Sequence, residues 1–291
     1  MVDLWLLGQA TTSGLLLGCI YAVVALGLSL IWGVMEIVNF AHGDFLMLSM
    51  YLSYFLFTYL GLDPLIGSIL GFLMGLALGL IVEKGLIEKV LGSPPIVTIL
   101  VTFSVLLIIR YGAMAAWGPG VKTLHPWYFM AILDLWGVRI SMAYLIGALI
   151  SLAATIALHI FLKKTYTGIA LRATSQNRLA AELLGIDARK MYTLSFCIGV
   201  ALVGLAGGVL STFYYVIPEV GGRFCMLSFV IVVLGGFGSL LGTFLGGLII
   251  GVAEEISAIF IPPVMKDVVA FIIFLLILML KPSGLFGEVA R

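Results

Sequence analysis

Residues 9–44 read QATTSGLLLGCIYAVVALGLSLIWGVMEIVNFAHGD. The first part, 9–32, carries no charge over 24 residues. At 1.5 Å per residue a helix of that length exceeds the roughly 30 Å hydrocarbon core of a bilayer. The run then breaks at Glu36-Ile-Val-Asn-Phe-Ala-His-Gly-Asp44. An apolar span that leads into a polar, glycine-containing turn is a membrane segment with a break at its end.

The whole 291-residue composition agrees with that reading. Hydrophobic residues make up 63%, charged residues 10%, and the mean hydropathy is +1.25, against about 25% charged in a soluble domain. A water-soluble enzyme is excluded. Further apolar runs fall at about 45–61, 64–82, 96–116, 140–162, 191–216, 225–236, 239–260 and 264–280. With 9–32 they give nine segments of an all-α, polytopic membrane bundle, about eight or nine of them transmembrane. The run 225–236 is too short to span and the run from Phe45 starts beside the polar break, so both read as half-spans or re-entrant segments. Residues 1–291 form one transmembrane domain, with 163–190 as a cytoplasmic loop within it. No basic region precedes the first apolar run, which therefore reads as a retained anchor.

Basic residues concentrate in cytoplasmic loops. If 163–190 lies inside, alternation also places 83–95 and the C-terminus inside. Those regions hold ten of the 15 Lys and Arg, with the N-terminus outside. The net charge of +1 is too balanced for nucleic acid. Cys19, Cys197 and Cys225 lack metal-binding spacing and read as packing residues. GxxxG spacing at Gly14/Gly18, Gly71/Gly75/Gly79, Gly204/Gly208 and Gly238/Gly242/Gly246 predicts close helix packing within the chain or, at a given motif, a subunit interface. Segments 14–61 and 204–256 each pair a glycine-rich span with a short broken one, as in an internal repeat.

Two polar regions carry the candidate chemistry. Asn39, Phe40, Ala41, His42, Gly43 and Asp44 read either as a re-entrant break lining a translocation path or as an interfacial loop. In the second reading Asn39 and Asp44 cap helices and His42 bonds locally. The stretch KKTYTGIALRATSQNRLAAELLGIDARK, 163–190, predicts a two-turn helix capped by Ser175 or Asn177 and ended by Gly185. Leu179 and Leu183 share one face of it, and Arg178 and Glu182 another. Such a helix fits either a partner's groove or the lipid headgroups. Glu254 and Glu255 sit toward the outer end of their run, within reach of water. Arg110 lies deep in its run and wants a carboxylate that the sequence does not name. His42, His125 and His159 lie apart, and GxSxG, HExxH and P-loop patterns are missing, so neither catalysis nor ATP hydrolysis by this chain is expected.

VNFAHGDF (38–45), RATSQNRLAAELLGID (172–187), GGFGSLLGTFLGG (235–247) and KPSGLFG (281–287) together resemble the permease subunits of ABC importers for branched-chain amino acids, LivH type. The resemblance covers essentially the whole chain. It implies a multi-pass cytoplasmic (inner) membrane protein that pairs with a LivM-type permease, two cytoplasmic ATPase subunits and a periplasmic solute-binding protein. ATP and Mg would be held on the ATPases, with no cofactor or metal in this chain, and lipid would be its only other contact. The resemblance makes Arg178, Leu179, Ala180, Ala181, Glu182, Leu183, Leu184, Gly185 and Ile186 the ATPase-coupling segment. It implies alternating access along a path lined by Asn39–Asp44 and by Gly235, Gly236, Gly238 and Ser239. Leu179 stands where ABC importers generally have an acidic residue. The competing classes are a stand-alone secondary transporter or channel, which needs a mid-membrane ion site, and a structural membrane anchor.

Overall fold

The computed structural model describes residues 4–135, 137–262, 265–281 and 283–287. Helix α1 (Leu4–Met35) is followed by α2 (His42–Leu60) and α3 (Pro64–Val82). A π-helical turn (Glu83–Ile87) and α4 (Glu88–Val90) extend α3, and α5 (Pro95–Trp117) returns across the bundle. A two-stranded antiparallel hairpin, β1 (Ile132–Leu135) and β2 (Val138–Ser141), pairs Asp134 with Arg139 and leads into α6 (Met142–Lys164). Then follow α7 (Tyr166–Gln176), α8 (Arg178–Leu183), α9 (Ala188–Leu210), α10 (Val220–Gly235), α11 (Leu240–Ser257) and α12 (Lys266–Leu280). Among the described residues six helices are long and apolar enough to cross a membrane by themselves.

Each predicted run holds a helix, with two informative shifts. Helix α10 begins at Val220, five residues before the predicted start, because the charge of Arg223 is matched by Asp267 and does not end the helix. The 163–190 region holds two helices where one was expected. Thr165 caps α7 through Gly168 N at 3.0 Å. A Cβ on Gly168 would lie 2.1 Å from the Phe161 carbonyl, so this corner requires glycine.

The core is a repeat. Helix α1 is apolar all round and buried at every position from Ile20 to Ile31, as expected of a central helix. It packs antiparallel to α11, with Gly14 against Val252 and Gly18 against Leu248. Helix α9 packs antiparallel to α3 in the same way, with Gly204 against Gly71 and Gly79 against Cys197. Small residues at these crossings let backbones touch where lipid offers no hydrophobic drive for association. The units α1–α2–α3 and α9–α10–α11 therefore correspond. Helix α1 starts beside the β hairpin, where Arg139 N donates to Gln9 Oε1 at 2.8 Å, and runs toward the α7–α8 end, whereas α9 starts at that end and runs away from it. The repeat is thus inverted. It extends the segments predicted at 14–61 and 204–256 to 4–82 and 188–257.

Candidate functional site

The two repeat units meet at their second helices. A Cβ on Gly43 would fall 1.8 Å from the Gly221 carbonyl oxygen, and a Cβ on Gly221 would fall 2.6 Å from that of Gly43. The first turns of α2 and α10 are in backbone contact. Their depth follows from α1: His42 Nε2 lies 2.8 Å from Val24 O, and His42 also borders Gly27. Gly27 precedes the end of α1 by eight residues, about 12 Å. After α1 the chain turns at Glu36 (φ 56°) and runs back into the bundle, and α2 starts at that depth. The chain therefore runs back into the bundle here as a re-entrant turn. His42 bonds across 18 residues, not locally, and Asp44 is not a cap. Asn39 Oδ1 does accept from Ala41 N at 3.2 Å.

Thr102 of α5 donates to Val38 O at 3.0 Å, and the Phe40 ring packs on Phe103 and Phe229. Cys225 Sγ donates to Phe40 O at 3.3 Å, a role beyond packing; Cys197 is buried and Cys19 half-buried. Asp44 is fully buried, and Arg110 of α5 grips it with two bonds, Nε to Oδ1 at 2.9 Å and Nη2 to Oδ2 at 3.0 Å. This is the carboxylate that the sequence left unnamed. A buried charge in lipid persists when it is paired in this way.

Gly235, Gly236, Gly238 and Ser239 form the α10–α11 corner at the other end of α10. Gly236 and Gly238 have φ of 97° and 74°, and Ser239 Oγ caps α11 by accepting from Gly242 N at 3.1 Å. The C-terminal segment straps this corner: Leu285 N donates to Leu234 O at 2.8 Å and Phe286 N to Gly235 O at 3.2 Å. A cavity of about 430 Å³ opens here between Trp32, Glu36, Ser175, Gly238 and Ser239. Trp32 and Phe237 stack beside it at 4.6 Å.

Ser175 belongs to α7, so this mouth adjoins the 163–190 region. Asn177 caps α8 (Ala180 N to Oδ1, 3.0 Å), whereas Ser175 bonds Arg172 O and does not cap it. Gly185, φ 84°, closes α8 as a Schellman turn, with Ile186 N bonding Ala181 O at 3.0 Å and Gly185 N bonding Glu182 O at 3.0 Å. Asp187 then caps α9 through Lys190 N at 3.2 Å, and these bonds hold its carboxyl below the usual aspartate range. Arg178 Nε donates to Glu182 Oε1 at 2.9 Å and its guanidinium lies over Tyr192. Ala181 faces inward, while Leu179, Leu183 and Leu184 are 73, 89 and 80% exposed. Leu184 joins the apolar face that the i, i+4 spacing had assigned to two leucines.

Glu254 does not reach water; it is fully buried, receiving Tyr21 Oη–H at 3.1 Å, with Arg223 at 3.7 Å. Glu255 pairs with Lys266 at 2.8 Å.

No solved structure matches the chain. The LivH high-affinity branched-chain amino acid permease of Salmonella typhimurium is 30% identical over 96% of this chain and 95% of its own length. The BraD permease of Pseudomonas aeruginosa is also 30% identical, with the same coverage. A probable LivH permease of Methanocaldococcus jannaschii is 25% identical over 91% of this chain and 88% of its own. The family profile described as branched-chain amino acid transport system / permease component matches residues 10–278, and the chain belongs to that family of multi-pass membrane permeases.

Proposed function

We propose that this chain forms half of the translocation path of an ATP-driven, binding-protein-dependent importer for branched-chain amino acids. Its partners in this reading are a LivM-type permease, two ATPase subunits that hold ATP and Mg, and a solute-binding protein. The observation that carries the reading is α8: a short helix, rigidly capped at both ends, that offers Leu179, Leu183 and Leu184 to water. Three adjacent leucines in water are explained by a groove that covers them. Helix α8 therefore docks on an ATPase subunit, its end of the bundle is cytoplasmic, and the concentration of Lys and Arg there supports this. The C-terminal strap lies at the same end and the start of α1 at the other, which supports an outside N-terminus and a cytoplasmic C-terminus. The binding protein docks at the outer end on the connection between α5 and α6 within 117–139; of the segment 217–224, the part from Val220 onward is the buried first turn of α10 and is not an outer loop.

In this reading Asn39–Asp44 and the facing turn of α10 form the closed part of the path. Gly235–Ser239 line its inner mouth beside the 430 Å³ cavity. Closure of the ATPase dimer moves α7–α8, which borders that mouth through Ser175, and the two permeases rock to open the path outward.

The test is affinity purification of the tagged chain from native membranes in mild detergent, wild type against Gly185→Arg. A side chain at φ 84° strains the turn that ends α8. The expected result is co-purification of two ATPases and a second permease with the wild type, and loss of the ATPases with the variant. Purification of the wild-type chain alone would overturn the reading.

A further inference from the structure

The leucines of α8 have an occupant in the importer reading; the exposed side of α7 has none. The buried side of α7 is Gly168, Ala170, Leu171 and Thr174. The opposite side carries Tyr166, Ile169 and Arg172, spaced by three and all exposed. Lys163 and Lys164, the end of α6, precede it and are exposed too. A tyrosine and an isoleucine set among basic residues, on a helix that follows a spanning helix, belong at the boundary of hydrocarbon and headgroups.

A groove runs from that boundary into the hydrocarbon. Its deep part, about 240 Å³, lies between α1, α6 and α11 and is lined by Leu26, Leu152, Ile156, His159, Leu241 and Phe244. Leu240 borders it and also borders a crevice of about 50 Å³ that Arg172 of α7 lines. Leu152, Ile156 and Leu241 are exposed along the groove. His159 lies five residues before Lys164, about 8 Å deeper, which is close to the thickness of a headgroup layer. Lys163 follows His159 by four residues and so stands on the same face of α6, one turn nearer to water.

Charge identifies the occupant. Among the described residues neither Lys163 nor Arg172 is in an ion pair. Two unpaired cations at headgroup level, at the end of an apolar groove, match a phosphate joined to an acyl chain. A soluble phosphate would leave the groove empty, and hydrocarbon alone would leave the cations unmatched.

We infer that this groove binds an anionic phospholipid, with an acyl chain between α6 and α11, its ester region at His159 and its phosphate at Lys163 and Arg172. The site goes beyond the importer reading; only its assignment to the inner leaflet rests on that reading. Helix α7 borders the inner mouth through Ser175, so a headgroup held by Arg172 bears on the helix that links α8 to that mouth.

The experiment is native mass spectrometry of the affinity-purified protein, with whatever subunits co-purify, incubated with phosphatidylglycerol or with phosphatidylcholine of the same chains. Lipid is counted on the mass of this chain, released in the gas phase from any partners. Retention of phosphatidylglycerol should exceed that of phosphatidylcholine about tenfold or more, since two cations contribute. Lys163→Gln combined with Arg172→Gln should abolish the preference. Lys84→Gln combined with Lys89→Gln, the same charge change on the π-helical turn and α4, should keep it. Thr155→Phe fills the groove and removes only a hydroxyl bond to Ser151 O within α6, so it should lower retention of both lipids. It keeps the test decisive if the double glutamine variant fails to fold. No preference in the wild type overturns the site. Equal loss with the Lys84 and Lys89 pair also overturns it, because the general charge of that end would then attract lipid. Retention unchanged by Thr155→Phe overturns it as well, leaving a headgroup contact with no chain in the groove. Loss of a co-purifying permease on Thr155→Phe gives the groove to that subunit and overturns the lipid site. A wild-type chain that purifies without subunits but retains phosphatidylglycerol counts against the importer reading and supports the site.

Discussion

Helices α2 and α10 are equivalent members of an inverted repeat, and both begin inside the bundle with a charged residue in the first turn or next to it. The charges are opposite. Asp44 on α2 is met by Arg110 of α5, the spanning helix that follows its repeat unit; Arg223 on α10 is met by Asp267 of α12, the helix that follows the other unit. The positive end of a helix dipole favours an acid, so Asp44 suits its helix and Arg223 opposes its own. The surroundings reflect this. Asp44 is fully buried with one cation, whereas Arg223 has two acids, two rings and a cavity. The α2 start is built to stay closed, and the α10 start is built around an opening.

The sharpest way to break this comparison is to remove one cation at a time. Arg110→Leu leaves Asp44 buried and unpaired and should cost about 3–5 kcal/mol, read as a fall in thermal unfolding temperature in detergent. Addition of Asp44→Asn should recover much of that loss. Arg223→Leu should cost less, about 1.5–3 kcal/mol, because Asp267 is 39% exposed and can turn to water, while the buried Glu254 keeps the Tyr21 hydroxyl. Equal losses would remove the distinction between the two starts. Gly43→Ala tests the contact itself: the new methyl meets backbone, so about 1–3 kcal/mol of overpacking and a displaced junction are expected, visible as lost uptake together with lowered stability.

The smallest effect lies outside the membrane. Tyr128 donates to Asp63 Oδ1 at 2.9 Å, and Asp63 also caps α3 through Leu65 N. Tyr128→Phe should cost about 1 kcal/mol. Burial and the Asp63 carboxylate raise the Tyr128 pKa above its ordinary 10.0. Its contribution is therefore fully present below pH 10.0 and fades as pH rises through the higher folded value. The stability difference between wild type and Tyr128→Phe should be flat from pH 6 to pH 9; a difference that changes across neutral pH would contradict this bond.

Much of the fold was legible because apolar length is a strong signal in lipid: each of the nine runs became a helix. The glycine spacing indicated close packing, but not that Gly14 and Gly18 meet α11 or that Gly71 and Gly79 meet α9, since spacing carries no partner. The re-entrant turn at Asn39–Asp44 stayed ambiguous in sequence, because a cap and a buried ion-pair member look alike until Arg110, 66 residues away, is placed. Arg223 concealed the start of α10 for the same reason: a paired charge and a helix-ending charge are identical in one dimension. Helix α8 was readable from local spacing, because caps, the Gly185 turn and the Arg178–Glu182 pair are all short-range. Helix α7 was missed, since its signal was a single Thr165 cap and the bend at Gly168.

The most direct test reconstitutes the chain with the second permease, ATPases and binding protein proposed above in vesicles and compares ATP-driven leucine uptake by wild type and Leu183→Asp. The substitution lies on an 89% exposed position and should leave the unfolding temperature unchanged. The prediction is strictly ATP-dependent uptake by wild type and its loss in the variant, with the ATPases no longer stimulated. Undiminished uptake by Leu183→Asp, or uptake by the chain alone under an ion gradient, would contradict it.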